Sequence, residues 1–174
     1  MDVKRKPIKF DLNTTGTITL GAKSCLWFAW SPLGIAGPQG ETVDGTYIPA
    51  EIDIEHAGVV TIEVEDDEEL WSNRPENPVN ADGRSRVLSL QVPAYQSSTY
   101  NSENISAIST NLCALVAMLG PSSTPSSTQT QKHIGLGPVT LTVGAGQTRL
   151  FLGFHDGQEW SNNTGSQTVK ITIA

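Results

Sequence analysis

At 174 residues the chain has the length of one domain with a sizeable core, and its formal net charge of -7 excludes a nucleic-acid partner, which needs clustered Lys and Arg. Charged residues make up 17%, below the usual share of about 25%. No run approaches the roughly 18 apolar residues of a membrane-spanning helix. Gly, Ser, Thr, Asn and Pro are abundant instead, as in short strands joined by many turns.

The N-terminal stretch Met1–Pro7 lacks the apolar region of a secretory signal, so the expected location is the cytoplasm, or outside the cell by a route that needs no signal peptide. Its basic cluster, Lys4-Arg5-Lys6, reads as a solvated tail. Alternation at period two then predicts strands at Thr17–Leu20, Val59–Val64, Val87–Val92, Val139–Val143 and Val169–Ile173. In the last, Val169, Ile171 and Ile173 face one way and Thr168, Lys170 and Thr172 the other. Ser24–Trp30 is apolar on both faces and is expected to be a central strand. Leu112–Leu119 has helical propensity, but its shortness and its stop at Gly120-Pro121 favour a strand.

Turn-rich segments lie at Ser31–Gly45, Ser72–Arg84, Gln96–Asn104 and Pro121–Lys132, the last read as a long surface loop. The acidic run from Glu63 to Glu69 lacks EF-hand spacing and reads as a solvated strand end. Cys25 and Cys113 each sit in apolar runs, as buried free thiols do, although a disulfide between them stays open. The whole, residues 1–174, reads as a single all-β domain.

Enzyme signatures are missing: there is no G-x-S-x-G elbow, Walker A loop, G-x-G-x-x-G after a strand, or H-E-x-x-H. His155 and Asp156 are neighbours, and on a strand their side chains would point to opposite faces. No catalytic residue is expected. The most informative stretch is Phe154–Gly165, between expected strands Thr148–Phe154 and Gln167–Ile173. Asp156, the pair Asn162-Asn163 and free carbonyls offer hard oxygen donors, which suit calcium rather than zinc. The same Asn-Asn-x-Gly also suits a plain hairpin turn.

Three fragments carry a resemblance. Asp156…Asn162-Asn163-Thr164-Gly165-x-x-x-Val169-x-Ile171 is similar to the calcium and sugar loop of the bacterial calcium-dependent galactophilic lectins, the LecA-type family. Gly16–Leu20 through Trp30-Ser31-Pro32 to Gly37-Pro38-Gln39-Gly40-Glu41 resembles that family's second strand and following loop, and Ala114–Gly120 resembles its apolar Ala-Leu-Val strand. Together they cover about 16–45 and 107–174, leaving about 46–106 as an insertion that adds strands, covers the site or builds an interface.

The resemblance implies a jelly-roll β-sandwich that binds Ca2+ and galactose-containing glycans, without catalysis, as a homo-oligomer. It implies metal ligation by the Asp156 carboxylate, the Asn162 and Asn163 side chains and the carbonyls of Trp30 and Glu159, with Trp160 as the alternative to Glu159 because this loop is one residue shorter. Asp156 and Asn162 would also contact sugar. Asp44 and Tyr47 stand nearest the positions where the family carries a sugar-binding His and Gln, a departure that weakens galactose specificity more than calcium binding. Two readings stand for Trp160: an apolar face for the sugar ring, or packing against the sandwich rim. The alternative function is a structural or interaction module of a secreted or particle-associated complex that has lost its sugar site.

Overall fold

A computed structural model describes residues 6–31, 33–34, 42–65, 79–90, 105, 108–123, 129–156 and 160–174, with the main chain alone for 85–90. These residues form strands and short 3-10 turns, with no α-helix among them. The strands are β1 (Ile8–Lys9), β2 (Thr14–Gly21), β3 (Ala50–Asp53), β4 (Val59–Val64), β5 (Arg84–Leu90), β6 (Ile108–Leu112), β7 (Leu115–Gly120), β8 (Thr130–His133), β9 (Val139–Thr142), β10 (Arg149–Phe154) and β11 (Ser166–Ile173). A five-stranded sheet runs β1-β3-β10-β7-β8, a four-stranded sheet runs β2-β11-β4-β9, and β5 pairs with β6. The fold is a β-sandwich.

The four-stranded sheet follows the alternation in its sequence. Val169, Ile171 and Ile173 of β11 are buried, opposite Ile62 and Val60 of β4, while the intervening residues are half-exposed. Its outer face carries threonine pairs, Thr15–Thr172 at 2.8 Å and Thr61–Thr140 at 2.9 Å, and the Lys170–Glu63 ion pair. Leu150, Leu152 and Phe154 of β10, with Leu115, Ala117 and Leu119 of β7, close the same core from the other sheet.

Strands β7 and β10 are buried on both faces, which explains why their sequences are continuously apolar rather than alternating. Val116, Met118 and Phe151 point away from the sandwich into a second cluster with Cys25, Leu26, Trp27, Phe28 and Trp160. The cover on that outer face is the segment expected to be a central strand. Instead of pairing along its length, Ser24–Trp30 makes one parallel bridge, Cys25 to Phe154, and then coils into a 3-10 turn at Leu26–Phe28. Its two-sided apolarity comes from lying between the sheet and a further layer of side chains. Trp30 ends it with φ of 63°.

Three other expectations change. The single strand at Leu112–Leu119 is two, β6 and β7, separated where Cys113 turns with φ of 62°. The Pro121–Lys132 loop ends in β8, an edge strand whose Thr-Gln-Lys-His sequence has no apolar alternation to betray it. The region 46–106 adds strands inside the sandwich: β3 lies between β1 and β10, and β4 between β11 and β9. The acidic residues 66–69 lie outside the described residues, and Glu65 before them is exposed.

The close approach of the cover segment to β10 requires a glycine. A Cβ on Gly153 would lie 2.8 Å from the Leu26 nitrogen and 3.0 Å from the Ser24 oxygen, both main-chain atoms. Ser24 also accepts from the Phe154 N–H at 2.7 Å, so the two backbones cannot part without losing that bond. Gly153→Ala should therefore destabilise the protein by about 1–3 kcal/mol, read as a lower urea midpoint at unchanged slope. An unchanged midpoint would show that the cover segment does not press on β10.

Candidate functional site

The C-terminal loop leaves β10 at His155 and returns to β11 at Ser166, and a 3-10 turn at Trp160–Asn162 shapes its second half. Asp156 and Asn163 are both buried, with relative exposures of 9% and 3%. The Asn163 side-chain nitrogen donates to Asp156 Oδ2 at 2.7 Å and leans towards the Ala22 carbonyl at 3.5 Å. Both neighbours are acceptors only, so the nitrogen must face them and Oδ1 must turn away. That oxygen is buried and accepts no hydrogen bond. An orphaned buried acceptor costs about 1–3 kcal/mol, and this one differs from the other unsatisfied buried atoms of the described residues in lying on a side chain hydrogen-bonded to a buried carboxylate.

A hard cation fits that place. A carboxylate and an adjacent unsatisfied amide oxygen are donors of the type calcium takes, and Asn162, the residue before Asn163, is half-buried. Among the described residues, no three His, Cys, Asp or Glu side chains gather as a metal cluster. The set implied here is of a different kind, one carboxylate with amides and main-chain carbonyls. Glu159 lies outside the described residues.

Trp30 and Trp160 part company. The Trp30 indole donates to the Pro121 carbonyl at 2.8 Å and packs on Phe151 with ring centroids 4.5 Å apart, towards the far end of β10 from Asp156. The side chains just before it do reach the C-terminal loop, since the Trp27 ring meets that of His155 at 5.9 Å and the Phe28 ring that of Trp160 at 5.5 Å. Trp160 itself has 0% exposure, so its ring packs inside the second cluster and offers no face to a ligand in solvent. Of the two readings left open for Trp160, packing is the observed one.

Asp44 is exposed and accepts from both the hydroxyl and the N–H of Thr46, at 2.6 and 2.7 Å, and these bonds hold its carboxyl below the usual range. The Tyr47 carbonyl accepts from the Cys25 N–H at 2.8 Å, which ties the 44–47 loop to the residue that bridges to Phe154. A groove of about 660 Å³ joins the two regions, walled by Gly45 and Thr46 on one side and by Asn163, Thr164 and Gly165 on the other. Lys23 also lines it, with its ammonium 5.9 Å from the Tyr47 ring centre. Lys23 was not singled out in sequence, because a lysine in a turn after a strand carries no signal of its own.

The thiols near the site are inert by environment. Cys113 is pushed up to about 12, chiefly by burial and then by the charge of Asp156, and Cys25 is raised well above its ordinary value for the same leading reason. Both are free and lie in separate clusters. They should react with a thiol reagent only after unfolding, and rapid labelling of the folded protein would contradict the burial described.

His155 is also buried, with neither ring nitrogen in a well-formed hydrogen bond. Burial lowers its pKa, opposed more weakly by the Asn111 carbonyl and the Asp156 charge. On acidification the unfolded chain takes up this proton first, so stability present above about pH 6.5 is lost as pH falls towards the folded value. In EDTA, the urea midpoint should drop across that window, and His155→Leu should flatten the drop. Equal slopes in both proteins would assign it to other groups.

No protein-family model, curated protein or solved structure matches the chain.

Proposed function

We propose that this chain is a calcium-dependent carbohydrate-binding protein, a lectin for galactose or galactosides without catalysis, built on a jelly-roll form of the sandwich. The observation that carries the reading is the orphaned Oδ1 of buried Asn163 beside the Asp156 carboxylate. A cation there satisfies both groups at once. Asn162, the Trp30 carbonyl and a carbonyl from Glu159 are the remaining ligands in this reading. One carboxylate, two amides and two carbonyls leave about two positions on a seven-coordinate calcium, which vicinal hydroxyls of a sugar fill.

The chain's own part is to hold these oxygens still. Asp156 and Asn163 are fixed by burial and by each other, so a sugar arriving at the metal orders little that was mobile, which reduces the cost of binding. The groove leading from Asn163 to Gly45 and Thr46 gives a bound sugar somewhere to extend, next to Asp44 and Tyr47 in the chain. Assembly into a homo-oligomer would raise the avidity of weak single sites by about 10²–10⁴.

The test is isothermal titration of galactosides at millimolar-scale calcium and again in EDTA. Heat with calcium and none with EDTA is expected. Asp156→Asn keeps the shape of the side chain, removes the charge, and should abolish metal and sugar binding together while the protein stays folded. Absence of heat with any galactoside in saturating calcium would reject the lectin reading and leave an interaction module.

A further inference from the structure

The groove beside Asn163 has more cations than carboxylates along its lining, in a chain that is acidic overall. The chain carries a net charge of -7, yet this groove is lined by two lysines, Lys6 and Lys23, against one carboxylate, Glu51. Glu51 is already engaged, since Arg149 Nε lies 3.3 Å from its Oε1. Lys23 is held rather than loose. It sits in the turn between β2 and Cys25, half-buried, with its ammonium towards the Tyr47 ring. Between these cations and the Asn163–Gly165 wall the lining is otherwise uncharged: threonines, small residues and the apolar Ile8 and Ile48.

We infer that the site prefers an acidic saccharide, with neutral hydroxyls at the Asp156–Asn163 end and a carboxylate or sulfate along the groove against Lys23 and Lys6. This rests on the carbohydrate-binding reading above and deepens it. A volume of about 660 Å³ is far larger than one water-bridged hydroxyl pair needs and accommodates a monosaccharide with a charged substituent or a second residue. An ammonium paired with an anion across a partly enclosed wall forms a charge-assisted hydrogen bond, stronger than the neutral contacts of the same sugar. A neutral glycan would leave Lys6 to solvent and Lys23 with only the Tyr47 ring and the Asp44 charge. The acidic protein around the groove repels anions at long range, so the preference comes from contact rather than from steering.

The experiment titrates calcium-loaded full-length protein with galactose, galacturonic acid and galactose 6-sulfate. The variants are Lys23→Gln, Lys23→Arg and the Lys6→Gln/Lys23→Gln pair, each checked for an unchanged thermal midpoint. The acidic sugars should bind about tenfold more tightly than galactose. That ratio should fall towards one in the double glutamine variant, survive in Lys23→Arg, and shrink as salt rises. The sulfate arm separates groove contact from direct chelation of calcium by a uronic carboxylate: a preference for galacturonic acid alone, unaltered in the double variant, overturns the inference. Galactose binding with no acidic preference overturns this inference and spares the lectin reading. If none of the three sugars binds, both fall.

Discussion

The structure depends on one close contact, the main chain of Ser24–Leu26 lying against Gly153 of β10. It lets a third layer close over the outer face of the five-stranded sheet, so that Val116, Met118 and Phe151 are as buried as the sandwich core behind them. A sandwich needs only one apolar face per sheet. Here the β7–β10 pair has two, and the loop at the end of β10 inherits that rigidity. His155 and Asp156 are buried because the strand that delivers them is covered on both sides, with Trp27 and Phe28 of the covering turn meeting His155 and Trp160.

That burial has an electrostatic consequence. Asp156 is nearly out of solvent, and its charge is felt by Cys25 in one cluster, by Cys113 in the other and by His155 next to it. Water would screen such a charge, whereas here it is partly balanced by the Asn163 amide nitrogen. The amide oxygen left over accepts no hydrogen bond, and in the proposed reading it is the atom that a cation would satisfy. Hairpin turns of Asn and Gly are ordinarily exposed, and their side chains satisfy themselves on local backbone. Asn163 does neither in full, since it is buried with one polar atom unmatched.

Where one face was wet, the sequence declared the element plainly. β2, β4, β9 and β11 alternate and were legible, as was the C-terminal loop with its oxygen donors. Where both faces were dry, periodicity lost its meaning. Ser24–Trp30 looked like a central strand because a covering coil and a central strand bury their side chains alike. Short edge strands such as β1 and β8, with few apolar residues, carried no pattern at all. The pairing of Asp156 with Asn163 could be guessed from spacing, but the burial of Trp160 could not, because its partner Phe28 is more than a hundred residues away in the chain.

The region between the two loops is more than decoration. β3 and β4 come from 46–106, the segment expected to be an insertion, yet they occupy interior positions in both sheets, and the residues leading into β3 form one wall of the groove. The opposite wall belongs to the C-terminal loop that holds Asp156 and Asn163. In the proposed reading, the oxygen cage and the surface that discriminates among ligands are thus supplied by different stretches of chain, joined where Tyr47 accepts from Cys25. In that reading, changes along 45–49 can alter which sugar fits with little disturbance of the buried carboxylate, because the described main-chain ties of 45–51 run to Cys25 and, through Ala50 and Glu51, to Leu152 and Phe151 of β10 rather than to Asp156. A cage fixed by burial with a separately built wall is a physical basis for one metal site serving different saccharides.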